Sequence, residues 1–191
     1  GYPDPAGTTL AGFSPVVEAI AAAGHKDLDI ISNNCGNQGR GLAVLLKNRQ
    51  VGKVVCSFVG GNPDLEQQML AGDVEVQLNP QGTLAERLRA GGAGIEAFFT
   101  PTGADTVVAE GKEVREFGGR NCVLETALKP DFAIVRAAVG DTLGNLRFYR
   151  TAQSFNPLAA MAGRGVHEAR TRIVGDVITR QKRNGELVTA A

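Results

Sequence analysis

Residues Val74 to Leu78 alternate Val-Glu-Val-Gln-Leu, the two-residue period of a strand with one apolar face. After Asn79-Pro80-Gln81-Gly82, the stretch Thr83 to Ala90 carries Leu84 and Leu88 four apart on one stripe. That spacing predicts a helix stopped by Gly91-Gly92. The same strand-then-helix order occurs twice upstream. Leu28 to Ser32 reads as a buried strand and Gly41 to Asn48 as an apolar helix. Val54 to Phe58 reads as a second strand, followed by a helix that Asn62-Pro63 opens and Gly72 closes. Ser14-Pro15 opens a first helix, ended by Gly24, behind an irregular Pro- and Gly-rich lead-in over residues 1–13. Strands alternating with helices imply an α/β fold, a parallel sheet covered by helices with right-handed crossovers.

Beyond Gly94 the pattern shortens. Thr106 to Glu110, Glu113 to Phe117 and Cys122 to Glu125 are brief strand-like runs separated by Glu-Gly and Gly-Gly, which are hairpin signals. Phe132 to Ala137 is nearly continuously apolar, as a central strand would be, and Leu146 to Tyr149 follows the turn Gly144-Asn145. With no internal repeat or linker, residues 1–191 read as one domain with a β-rich hairpin second half.

The parallel half delivers neutral polar groups to one edge. Asn33 and Asn34 follow the first strand, Ser57 with Gly60 and Gly61 the second, and Gln81 the third. Carboxyl ends of parallel strands face a common crevice, where open α/β sheets keep their ligand groups. Asn and Gly also make ordinary turns, the plainer account of any one position. Three successive strand ends carrying uncharged donors favour a site, one suited to a carboxylate or thioester oxygen.

The run Asn79 to Gly103 resembles the α subunit of the family I CoA-transferases, which move CoA between carboxylic acids. The similarity takes in Asp29-Ile30-Ile31-Ser32-Asn33-Asn34, Gly41 to Leu46 and Val54 to Gly60 upstream. Downstream it takes in Glu110 to Arg115, Asp131 to Val135, Gly144-Asn145-Leu146 and Phe155-Asn156-Pro157, covering roughly residues 15 to 163 in collinear order. The resemblance implies a NagB/RpiA/CoA-transferase-like fold, with acyl-CoA as substrate and no permanently bound cofactor. It also implies ping-pong chemistry through a glutamyl-CoA intermediate. Gln81 falls on the family's glutamine that holds the thioester oxygen, and Asn33 and Asn34 on its paired asparagines beside the reacting centre. The nucleophilic glutamate belongs to the β half, within a Glu-x-Gly motif. The one Glu-x-Gly here, Glu116-Phe117-Gly118, lies in a charged hairpin and reads as a solvated turn. The implied partner is therefore a β subunit carrying that glutamate, in an α2β2 heterotetramer.

Two ends depart from the family pattern. Its Gly-Gly-Phe-Gly loop, whose backbone N–H groups are expected near the thioester, is represented only by Gly12-Phe13 within Leu10 to Pro15. Its Ala-Arg-Asn-Phe-Asn appears as Ala152-Gln153-Ser154-Phe155-Asn156. From 164 to 191 an atypical basic tail carries Arg170, Arg172, Arg180, Lys182 and Arg183. Gly92-Ala93-Gly94-Ile95-Glu96-Ala97 fits a loose dinucleotide fingerprint, but that fingerprint needs a strand before and a helix after, and the order here is reversed.

Bulk properties narrow the field further. Twenty basic and twenty acidic residues cancel, so nucleic acid is a poor partner. No apolar run reaches the eighteen or so residues of a membrane span, and no leader pattern is seen. Cys35, Cys56 and Cys122 have no metal-like spacing and, with His25 and His167 apart, give no metal site; reduced thiols suit a cytoplasmic location. The favoured reading is the α subunit of a 3-oxoacid or 3-oxoadipate type CoA-transferase, active only with its β subunit. The rival is a non-catalytic binding or assembly module that keeps the fold. A sugar-phosphate isomerase of the same fold is disfavoured by the lack of a basic phosphate-binding cluster.

Overall fold

The computed structural model describes residues 8–37, 39–141, 143–168 and 172–173. They form two compact units. One comprises residues through Glu86 together with Ala97–Thr126; the other comprises Arg87–Glu96 and the chain from Ala127 onward.

In the first unit, α1 (Thr8–Ala23) leads to β1 (Leu28–Ile31), α2 (Ala43–Lys47), β2 (Val51–Cys56), α3 (Pro63–Leu70), β3 (Glu75–Leu78) and the start of α4 (Gln81–Ala93). The strands form one sheet in the order β1-β2-β3, parallel throughout, as the alternation of elements predicts. The middle strand β2 is the most buried, with Val54 and Cys56 fully enclosed. Val17 of α1, Leu45 and Leu46 of α2 and Leu65 of α3 close over it in a single apolar cluster. Each such side chain removed from water contributes roughly 1.5–3 kcal/mol.

The same unit holds β4 (Ala97–Thr100), β5 (Val114–Phe117) and β6 (Arg120–Thr126), an antiparallel sheet in the order β4-β6-β5. The β5–β6 hairpin turns through Gly118 and Gly119, both at positive φ, where glycine alone is unstrained. Glu116 is exposed there, so the single Glu-x-Gly of the chain is a solvated hairpin. Glu125 of β6 is 2 % exposed and takes a hydrogen bond from Lys112 Nζ at 2.7 Å.

The second unit contains the later turns of α4, then β7 (Phe132–Val135), β8 (Val139–Gly140), β9 (Leu146–Arg147), α5 (Phe155–Ala162), β10 (Gly165–Glu168) and β11 (Arg172–Ile173). β10 pairs with β7 in parallel, and β11-β8-β9 form a second small sheet. α5 packs on β7.

Four expectations change. The first helix opens at Thr8, not at Ser14, so residues 8–13 are helix and not lead-in; Leu10 and Ala11 are strong helix formers, and Ser14-Pro15 falls inside. Thr106–Glu110 is a 3₁₀ turn, Val107–Ala109, and not a strand. Thr106 Oγ1 accepts from Val108 N–H at 3.2 Å and donates to Gly103 O at 2.9 Å, a local pairing that competes with a ladder. Phe132 to Ala137 is not seen as a central strand: among the described residues β7 has one partner strand, and Phe132 is 69 % exposed. A run of apolar residues cannot distinguish a sheet's middle from an edge that a helix covers.

The fourth change concerns α4, which runs through Gly91 and Gly92 instead of stopping there. Its end is at Gly94 (φ 75°), where Gly94 N–H bonds Gly91 O at 3.4 Å and Ile95 N–H bonds Ala90 O at 2.9 Å. Those two bonds satisfy the last carbonyls in a Schellman motif. A helix thus precedes Gly92-Ala93-Gly94 and a strand follows, the reverse of a dinucleotide site. Of the basic tail, Arg170, Arg180, Lys182 and Arg183 lie outside the described residues, while Gly165–Glu168 and Arg172–Ile173 are strands.

Candidate functional site

Parallel strands of similar length bring their carboxyl ends to one edge, and here three polar side chains meet at that edge. Asn33 follows β1, Ser57 follows β2, and Gln81, after β3, is the first residue of α4. Ser57 N–H bonds Asn33 O at 3.1 Å, extending the β1–β2 ladder one step past the strands. Ser57 Oγ donates to Asn33 Oδ1 at 2.5 Å, and Gln81 Nε2 donates to the same oxygen at 2.7 Å. Asn33 Oδ1 thus has both lone pairs engaged, which sets the orientation of its amide and aims its Nδ2 donors. Gln81 gives one of its two Nε2 protons to Asn33, and the second belongs to an exposed amide. Gln81 is exposed and Asn33 and Ser57 half-buried. None of the three is charged, and Gln81 stands at the positive end of a helix dipole.

The other expected residues are placed differently. Asn34 turns away: its Oδ1 accepts from Gly36 N–H at 3.0 Å, a local turn, and its side chain is exposed. Gly61 has φ 82°, and a Cβ on Gly60 would lie 2.7 Å from Cζ of Phe58. Gly60 is therefore what allows the Phe58 ring, 58 % exposed, to lie across the loop beside Ser57. Gly12 and Phe13 fall within α1. Their backbone belongs to a helix, whose interior N–H groups are engaged four residues back, and not to a glycine loop.

Two residues that the sequence presents only as turn formers support this edge. Asn62 is 2 % exposed; its Nδ2 donates to Cys35 O at 3.0 Å and Gly36 O at 3.1 Å, and its Oδ1 accepts from Leu65 N–H at 3.1 Å. Asn79, 3 % exposed, donates from its backbone to Cys56 O at 2.8 Å and from Nδ2 to Gln77 O at 3.1 Å. The Asn-Pro pairs announce a cap and a turn; only the assembled loops reveal what the amides hold.

Beneath the edge lie two thiols. Burial, with Cys56 nearby adding to it, pushes the Cys35 thiol from an ordinary 9.0 up to about 12. Burial also raises Cys56, against a lowering by the Phe58 backbone N–H. The folded state therefore holds these protons where the unfolded chain releases them. For Cys35 that stabilisation is fully present below pH 9.0 and is lost as pH rises toward about 12, and Cys56 shifts in the same direction. Urea unfolding at pH 8 to 10.5 is expected to show a decline above 9.0 of up to about 1.4 kcal/mol per pH unit per thiol. Cys35→Ala flattens that decline; an unchanged slope in this variant refutes the assignment.

Among the described residues, no group of His, Cys, Asp and Glu is arranged to hold a metal ion, and no helix is long and apolar enough to cross a membrane.

Comparison with known proteins gives this geometry a family context. The family model described as Coenzyme A transferase matches residues 6–184. A subunit of the succinyl-CoA:3-ketoacid coenzyme A transferase of Xanthomonas campestris pv. campestris (strain B100) is 55 % identical over 166 residues, 83 % of this chain and 69 % of that one. The protein of the same name from Helicobacter pylori (strain J99) is 53 % identical over 148 residues, 78 % of this chain and 64 % of that one. The chain thus spans about two thirds of the length of these curated relatives. Among solved structures, the acyl-CoA transferase YdiF of E. coli O157:H7, in a thioester complex with CoA, superposes with a TM-score of 0.69 at 21 % identity. That match covers 86 % of this chain and 38 % of YdiF, and it bears on the fold alone.

Proposed function

The chain belongs to the Coenzyme A transferase family, and from that premise we propose that it is the α subunit of a CoA-transferase exchanging CoA between an acyl-CoA and a 3-oxo acid. The observation that carries the reading is the meeting of three uncharged side chains, Asn33, Ser57 and Gln81, at one sheet edge, with Gln81 exposed. The relatives are named as subunits of succinyl-CoA:3-ketoacid transferases, which supports both the substrate class and a second, different subunit.

In this reading the partner subunit supplies the nucleophilic glutamate. Its carboxylate attacks the thioester carbonyl carbon, and the carbonyl oxygen becomes an oxyanion. The free Nε2 proton of Gln81 and the Nδ2 protons of Asn33 stabilise that oxygen. Neutral donors held at fixed positions act on charge that develops in the transition state and bind the ground state less. Collapse expels CoA thiolate and leaves an acyl-glutamyl anhydride. The thiolate then attacks the glutamyl carbonyl, releases the first acid and forms glutamyl-CoA, and the second acid runs the steps in reverse. Gly60 and Gly61 shape the loop beside these donors, whereas Asn34, in its turn with Gly36, and Gly12 and Phe13, within α1, are left without a part in the step. CoA is a substrate, and no resident cofactor takes part. The three cysteines are all free thiols, which suits a reducing, cytoplasmic setting, and the assembly is an α2β2 heterotetramer.

Coexpression with the partner subunit tests the reading. The chain alone is expected to show no CoA exchange between succinyl-CoA and acetoacetate or 3-oxoadipate, and the complex to show ping-pong kinetics. Mass spectrometry after incubation with acyl-CoA alone should find the CoA adduct on a glutamate of the partner. An adduct on this chain, or exchange by this chain alone, overturns the division of labour. Full activity of the partner without this chain favours the rival, a non-catalytic assembly module.

A further inference from the structure

We infer that Asn62 is a positioning residue, a buried amide that holds the Asn33 crest in register with Ser57 and Gln81. The inference rests on the transferase reading for its catalytic consequence, though not for its structural one.

Asn62 lies at the end of the β2–α3 loop, after Gly60 and Gly61, and its bonds run to two elements. Its oxygen caps α3 through Leu65 N–H. Its Nδ2 reaches back 27 and 26 positions to Cys35 O and Gly36 O, on the loop that follows Asn33. A cap needs only the oxygen, which Ser or Asp supplies as well as Asn. The two donations to the β1 loop are therefore an added function, and of the favoured cap residues only Asn has both an acceptor and two N–H donors to fill it.

The loop so held is folded tightly. Gly36 sits at φ 74°, and a Cβ there would meet Arg40 O at 2.6 Å. Gly36 N–H bonds Asn34 Oδ1, and Asn33 O and Oδ1 take the bonds from Ser57 and Gln81. Asn62 thus grips the chain two residues from the Asn33 oxygen that receives Ser57 Oγ and Gln81 Nε2, its own hydrogen bonds running to Cys35 O, Gly36 O and Leu65 N–H. Without its donations, Cys35 O and Gly36 O lose their clamp while α3 keeps its cap. The crest then loosens selectively.

Asn62→Ser in the full chain tests this, with Asn62→Asp, which keeps volume and cap, in reserve should the serine variant not accumulate. Native-state hydrogen exchange is expected to accelerate about tenfold or more at the Gly36 and Ser57 amides and by less than about threefold at Leu65. Uniform acceleration across the unit, or no change at Gly36 and Ser57, overturns the inference. In the complex, Asn62→Ser lowers kcat about tenfold. In Asn62→Ser/Gln81→Ala the further loss beyond Gln81→Ala alone stays within about threefold, because both act on one donor arrangement. Fully multiplicative losses overturn the positioning role. A wild-type complex that exchanges no CoA refutes the transferase reading instead, and the hydrogen-exchange rates still decide the role of Asn62.

Discussion

Gln81→Ala lowers kcat for CoA exchange by the assembled enzyme about a hundredfold or more, with KM for the acyl-CoA changed far less. The side chain is exposed and, among the described residues, makes one hydrogen bond, to Asn33, so its removal costs the fold little, about 1 kcal/mol or less. What it costs the reaction is different in kind. A donor that meets the thioester oxygen only weakly in the ground state, and strongly once that oxygen carries charge, acts on kcat. Gln81→Glu is expected to be worse than alanine, because a carboxylate offers no proton, repels the oxyanion and faces Asn33 Oδ1. The measurement is steady-state exchange with succinyl-CoA at saturating acid, alongside thermal unfolding to show that the variant is folded. Turnover within about threefold of wild type refutes the oxyanion role. A loss confined to KM makes Gln81 a binding residue only.

The parallel half of the fold was legible because its signals are local. Alternation in Val74 to Leu78, the Asn62-Pro63 cap and the Gly72 stop fall where β3, α3 and their ends form. Strand order then follows from topology, and with it the prediction that residues 33, 57 and 81 share an edge. That two of those side chains bond to a single oxygen of the third was not legible, because it depends on rotamers and loop geometry. For the same reason Asn34 was expected beside Asn33, yet it closes a turn on Gly36. The second half was less legible. Thr106 to Glu110 has a strand's composition and a turn's hydrogen bonds, and Phe132 to Ala137 has a central strand's hydropathy but, among the described residues, one partner strand. Composition reports what a segment can bury; where it is buried is decided by the neighbours.

Gly91→Ala is expected to destabilise the protein by about 1–3 kcal/mol, the cost of overpacking. Helix propensity by itself predicts the opposite sign, a gain of up to about 1 kcal/mol for alanine in a helix interior. The structure decides between the two effects. A Cβ at Gly91 would stand 2.0 Å from Leu128 O and 2.9 Å from Leu128 C. Those are backbone atoms, pinned by the bond from Leu128 N–H to Arg87 O at 2.9 Å, so no rotamer change relieves the overlap. Gly92 is similarly crowded, its Cβ position lying 2.6 to 2.8 Å from Met161 Cβ, C and O on α5. The paired glycines that looked like a helix stop are thus the place where α4 is approached by the chain it packs against. Gly82→Ala serves as the control in the same helix: nothing lies within 4 Å of its Cβ position, so this substitution is neutral or slightly stabilising. For a chain of this size, a loss of about 2 kcal/mol lowers Tm by about 4–8 °C. Scanning calorimetry of the two variants side by side therefore separates them. A Gly91→Ala protein as stable as Gly82→Ala means that α4 is not packed against Leu128 as described.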